Sequence, residues 1–117
     1  MPNSALERLR KRLDFLNVAK TGERYVTPGF IVQVYLRAPN GPFRYGITAT
    51  RKIGGAVERN RAKRRLRALI RQVLFQIGRP GLDYVFIART EVLKRGYALM
   101  SQEFEQALIK LHKRVNL

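Results

Sequence analysis

The chain has 117 residues, with 24 Lys and Arg against 8 Asp and Glu, a formal charge of +16 and a pI near 11.4. That length gives one domain with a modest core, and that charge points to nucleic acid ahead of an anionic membrane. With no cysteine in the chain, disulfides, thiolate zinc sites and cysteine nucleophiles are excluded.

Residues 1–12 are basic and aperiodic and read as a mobile tail. They lack the apolar core of a signal peptide, and no apolar run approaches membrane-spanning length. A cytoplasmic protein with no membrane partner is expected, and no protein partner is predicted. A short helix spans about 13–20, stopped by Gly22, with Phe15, Leu16 and Ala19 on its inner side. Arg24–Val26 forms a short edge strand before the break at Thr27-Pro28-Gly29. The clearest strand is 30–37, FIVQVYLR. Its alternation puts Phe30, Val32, Val34 and Leu36 on an apolar face and Ile31, Gln33, Tyr35 and Arg37 on a mixed, wet one. Asn40-Gly41 is a hairpin signal, so 45–50 reads as the returning strand.

A long helix is predicted over 59–77, ended by Gly78, Pro80 and Gly81. Leu66, Leu69, Ile70, Val73, Leu74 and Ile77 make its buried stripe. The nearly all-apolar run 83–88 is placed centrally in the sheet. The segment 91–99 has no clear pattern. A last helix spans about 100–113, buried through Phe104, Leu108 and Leu111, with Glu103 and Glu105 in its first turn. The order α-β-β-β-α-β-α predicts a single α+β domain over 1–117, a two-layer α/β sandwich with helices on one face of a small sheet.

Half of the net charge falls in Arg51–Arg71, which holds nine basic residues and one acid, Glu58. At roughly 100° per residue, Asn60, Arg64, Arg67 and Arg71 form a stripe away from the apolar one. A helix docked by one face and cationic on the rest suits a polyanion. Arg59-Asn60-Arg61 opens it. Arginine forks match phosphate oxygens, and Asn can bond a base edge. The helix N-terminus and Gly54-Gly55 would let backbone approach a phosphate, although the glycines also suit an ordinary turn and Asn60 a cap.

Phe30, Phe75, Phe86 and Phe104 lie on apolar faces and read as core. Phe15, Tyr35 and Tyr25 are better placed for exposure, where a ring beside cations can stack on a base or simply close the core. Protein-centred chemistry finds no support. His112, the single histidine, sits among Lys110, Lys113 and Arg114 and reads as a solvated helix end. Glu103 and Glu105 point about 200° apart on a helix, no metal cluster or Walker-type loop is present, and no catalytic residue is predicted.

The run RKIGGAVERNRAKRRLR resembles the signature of the bacterial ribonuclease P protein subunit: a basic pair, a Gly-containing turn, then Arg-Asn-Arg-x-Lys-Arg leading a long helix. Asp14-Phe15, the strand end Thr48-Ala49-Thr50 and the run 84–89, YVFIAR, resemble the family too. The resemblance implies a protein that assists a catalytic RNA in removing the 5′ leader of precursor tRNA, with magnesium held mainly by the RNA. It further implies that Arg59, Asn60, Arg61, Lys63, Arg64 and Arg67, extended by Arg71 on the same stripe, meet the catalytic RNA. A cleft between the first helix and the sheet would hold the leader; Phe15, Gln33 and Lys52 match its positions, and Tyr35 shares Gln33's face. Ala19 and Gln33 stand where the family commonly has aromatics. The family fold has a left-handed β-α-β crossover, against the right-handed form seen in about 98% of cases. Two other classes fit the charge: a ribosomal-type structural RNA-binding protein and a DNA-architectural protein.

Overall fold

The computed structural model describes residues 6–9 and 12–115. In chain order the elements are β1 Leu6–Arg8, α1 Arg12–Thr21, β2 Glu23–Val26, β3 Phe30–Leu36, β4 Phe43–Thr48, α2 Ala56–Leu69, β5 Leu82–Ala88 and α3 Tyr97–Val115. α2 continues directly into a π-helical stretch, Ile70–Leu74, and a final α turn, Phe75–Ile77. A 3-10 turn, Thr90–Leu93, fills part of the segment that had no clear sequence pattern.

The strands form one five-stranded sheet in the order β1-β4-β5-β3-β2. β5 is central, as its unbroken apolar run requires, because it is covered on both faces. It runs parallel to β4 and antiparallel to β3, so β4, α2 and β5 make the expected crossover between adjacent parallel strands. The expected β3–β4 hairpin is not formed. β5 inserts between the two strands, and the Asn40-Gly41 loop wraps the start of β5 instead: Arg37 N–H donates to Gly81 O at 2.9 Å and Gly81 N–H to Gly41 O at 3.0 Å. Gly81 has φ +79°, and a Cβ there would lie 2.1 Å from the Ala38 carbonyl oxygen. The expected loose tail is also corrected in part. β1 pairs in parallel with the free edge of β4, and Leu9 N–H donates to Tyr45 O at 2.7 Å. Met1–Ala5, Arg10 and Lys11 lie outside the described residues.

The main core lies between the sheet and the layer of α2 and α3. Phe86 stacks on Phe104 at 4.9 Å between ring centroids, and Phe30 packs against Phe104 at 5.4 Å. Burial of each such ring stabilises the fold by about 1.5–3 kcal/mol. The stripe Leu66, Leu69, Ile70, Val73 and Leu74 is buried as its spacing predicts. Phe75 is not core: it is 37% exposed, four residues after Arg71 and on the same side of the helix. α1 lies on the opposite face of the sheet, where Leu9, Val18 and Val85 form a second cluster with Phe15, Tyr35 and Ile87. A single helical layer therefore does not describe the molecule. α1 ends tightly against β3: a Cβ on Gly22 would come within 2.6 Å of the carbonyl oxygens of Val18 and Val34.

α3 begins earlier than expected, so Glu103 stands beyond its first turn. It pairs instead with Arg95, whose Nε and Nη2 donate at 2.9 and 2.6 Å. His112 is not a solvated helix end. It is buried against Tyr84, with Nε2 2.7 Å from the phenol oxygen. That oxygen already accepts the Arg79 N–H at 3.0 Å, so donation by Tyr84 to a neutral His112 satisfies both groups.

Candidate nucleic-acid interface

α2 starts at Ala56, one turn before Arg59-Asn60-Arg61. One of its own carboxylates stands at its N-terminal end. Glu58 Oε1 accepts the Gly55 N–H at 2.9 Å, the carboxylate half of a capping box, since glycine has no side chain to return the bond. The Gly55 N–H, which could have met a phosphate, is thus engaged internally. Arg59 N–H is likewise engaged, donating to Gly55 O at 2.9 Å.

Those side chains divide into two groups. Arg59 Nη1 donates to Gly54 O at 3.0 Å, Arg61 Nη2 to Leu93 O at 3.3 Å and Arg65 Nη2 to Arg95 O at 2.6 Å. The last two tie α2 to the 3-10 turn and the loop after it. By contrast, Asn60, Arg64 and Arg71 are exposed, and Arg67 and Lys63 are half-buried. Among the described residues no ion pair engages Arg64, Arg67 or Arg71. The outward stripe is therefore as the helical period predicts, while Arg61 and Arg65 serve as tethers.

A second feature lies at the sheet end nearest the start of α2. A cleft of about 600 Å³ is lined by Ile31, Ile53, Ile87 and Thr50 and ringed by Arg51, Lys52 and Arg89. Ile31 and Ile87 are paired neighbours on β3 and β5, on the sheet face that α1 leaves uncovered here. Phe15 borders this face one step away: a Cβ on Gly46 would meet the tip of its ring at 2.4 Å, so the ring edge points onto β4 at that glycine. Lys52 is exposed at the rim, as expected. Gln33 and Tyr35 are not on the open part. Gln33 is 8% exposed, beside Val85 under α1, and Tyr35 packs against the α1 cluster. The alternation assigned their face correctly but could not show that α1 covers it. Arg51 and Arg89 were missed; Arg89 directly follows β5 and Arg51 lies three residues after β4, which was the available signal.

A charge network also reaches α1 on this face. Arg44 Nε and Nη2 donate to Asp83 at 2.8 and 2.6 Å, and Nη2 reaches Asp14 of α1 at 3.4 Å. Arg37 also pairs with Asp83 and donates to Pro42 O at 2.7 Å. The hydrogen bond to Asp83 raises the Arg44 guanidinium above its ordinary pKa, against the opposing effect of burial. Arg37 and Arg44 are thereby withdrawn from the cationic surface. No group of three or more His, Asp or Glu among the described residues is placed to hold a metal ion. No described helix is long and apolar enough to cross a membrane.

The family model described as Ribonuclease P matches residues 4–112. The chain is 52% identical over 106 residues to the ribonuclease P protein component of Caulobacter vibrioides, covering 90% of this chain and 70% of that one. It is 43% identical over 109 residues to that of Paramagnetospirillum magneticum, covering 88% and 80%. Among solved structures, the Thermotoga maritima RNase P protein superposes with a TM-score of 0.71 at 32% identity, covering 92% of this chain and 96% of that one. The Staphylococcus aureus RNase P protein gives 0.68 at 25%, covering 92% and 94%. With a family model matching most of its length and relatives at 43% and 52% identity, the chain belongs to the ribonuclease P protein family.

Proposed function

We infer that the chain is the protein component of ribonuclease P, laying α2 on the RNA subunit and the α1-side cleft on the 5′ leader of precursor tRNA. The observation that carries this reading is the sorting of cations on α2. Asn60, Arg64 and Arg71 are exposed, with Arg67 and Lys63 half-buried beside them, while the remaining arginines of the helix brace the fold. A stripe of arginines without carboxylate partners supplies phosphate contacts and counterion release. The cleft between Arg51, Lys52 and Arg89 has apolar walls suited to unpaired bases and a cationic rim suited to their backbone. Endonucleolytic removal of the leader then makes the mature tRNA 5′ end.

The bond-breaking step belongs to the RNA. Asp14 and Asp83 are engaged by arginines, Glu58 by the Gly55 N–H and Glu103 by Arg95, so these carboxylates are not free as metal ligands. Magnesium is accordingly assigned to the RNA subunit. RNA-free protein is expected not to cleave precursor tRNA. With the RNA subunit and Mg²⁺, cleavage should appear, and Lys52→Ala should weaken binding of precursor tRNA while leaving mature tRNA binding nearly constant. Cleavage by RNA-free protein at the rate of the complex would refute the assignment. Copurification of ribosomal RNA or genomic DNA, in place of one discrete structured RNA, would favour another class of partner.

A further inference from the structure

Tyr25 and the cations of α3 belong neither to the α2 stripe nor to the leader cleft. We propose that the slot between β2 and α3 is a second RNA site, taking one unpaired nucleotide of the RNA subunit: its base among Val26, Pro28 and Leu99, its phosphate against Lys110 and Arg114. This rests on the reading of the chain as an RNA-bound subunit.

The slot has a volume of about 310 Å³, at the small end of the usual 300–1,000 Å³ range for small-molecule sites, which is single-nucleotide scale. Val26 and Leu99 are 51% and 45% exposed, and both line it. Flat apolar walls accept the face of a base. Gln102 and Gln106 also line it, and each amide carries donors and an acceptor that suit a base edge. Glu103 is the one acid in the wall, and its charge is offset by the paired hydrogen bonds from Arg95 at 2.9 and 2.6 Å.

Two cations stand just beyond one wall of the slot, at Tyr25. Lys110 Nζ lies 5.4 Å and Arg114 Cζ 5.8 Å from the centroid of the Tyr25 ring. Lys110 Nζ also donates to the Tyr25 phenol oxygen at 3.3 Å, and Arg114 Nη1 to Arg24 O at 3.1 Å. These exposed interactions collect both cations at one side of the slot. They are weak enough for a phosphate to replace them. Arg24 and Lys113 stand exposed nearby.

Position identifies the occupant. α2 packs on β4 and β5, whereas α3 packs on β2 and β3. The slot therefore opens at the sheet edge remote from β1, with α3 between it and the arginine stripe. The cleft assigned to the leader opens on the other face of the sheet. A large folded RNA can reach both α2 and this edge of a molecule measuring 38 × 29 × 25 Å. A second copy of a chain with charge +16 is disfavoured by repulsion, and an apolar peptide has no use for the cations.

The test uses the full chain and the transcribed ribonuclease P RNA, with Leu99→Glu and the double variant Lys110→Ala/Arg114→Ala. All three positions lie outside the core, and thermal melting checks that each variant folds. Leu99→Glu should lower RNA affinity about tenfold, the scale of stacking one base. The double variant should flatten the log–log salt dependence by about 0.7 for each single-strand phosphate it no longer neutralises. Photo-cross-linking with 4-thiouridine-substituted RNA should label the β2–α3 slot, and Leu99→Glu should abolish that label. Unchanged affinity in both variants, with Arg64→Ala still weakening binding, overturns the slot and leaves the α2 reading intact. If Arg64→Ala is also silent, both fall. Weakening confined to precursor tRNA, or a change in oligomeric state with RNA affinity intact, also overturns the proposal.

Discussion

His112 shows how far one side chain can depart from its sequence neighbours. Flanked by Leu111 and Lys113, it has Leu108 four residues before it and thus lies on the buried side of α3. That spacing was legible, but the surrounding positive charge suggested solvent. Burial, helped by the charge of Arg79, lowers its pKa from 6.5 to about 4. The unfolded chain therefore takes up this proton first as pH falls. The folded state has its full stability above about pH 6.5 and loses up to roughly 3 kcal/mol from this group by pH 4. His112→Gln should remove much of that slope; chemical denaturation across pH 4–7 measures it, and an unchanged slope would show that His112 is not its source. Burial also raises the Tyr84 phenol, against the effects of the Arg79 N–H and charge, so the phenol keeps its proton through this range.

At the scale of elements, α2 was the most legible part of the chain because its apolar residues recur at one helical period. That period fixed the buried stripe and, by default, the outward one. It could not separate Arg64 from Arg65, because the Arg65 partner is a carbonyl 30 positions away. The two should behave oppositely. Arg65→Ala should cost about 0.5–1.5 kcal/mol of stability with little effect on RNA binding. Arg64→Ala should leave the melting temperature nearly unchanged, weaken RNA binding and reduce the salt slope by about 0.7–0.9. Melting curves and salt titrations on the two variants decide the point; a common response from both would contradict the division of the helix into stripe and tethers. The cleft was only partly legible. Strand alternation gave the face of Gln33 and Tyr35, but the path of α1, which decides what stays open, depends on Gly46, Gly22 and the Asp14–Arg44 pair.

For the whole molecule, Asp83 is the joint between parts. It is 1% exposed and receives arginines from β4 and from the loop after β3, and Arg44 extends the network to α1. Removing a carboxylate from a buried ion pair costs about 3–5 kcal/mol, and the lower end applies because both guanidinium groups keep some access to water. Asp83→Ala should therefore lose about 3 kcal/mol in denaturant unfolding; a loss below about 1 kcal/mol would mean that the network is ornamental to stability. The sheet order was the least legible global feature. The Asn40-Gly41 turn is a sound local hairpin signal, yet the strand between β3 and β4 comes from more than 30 residues further on, and its burial outweighs a local pairing.

That central strand also sets an order of events on the ribosome. β3 and β4 leave the exit tunnel with the seat between them empty, and α2 follows with its apolar stripe bare. Only when Leu82–Ala88 has emerged can the sheet close beneath the helix. Long-range pairing of this kind is slow and leaves apolar surface exposed meanwhile. A nascent chain stopped short of Leu82 is a cationic segment without a sheet, able to attract any RNA nearby but without the scaffold that gives α2 its orientation. Capture of the correct RNA is thus a property of the finished chain.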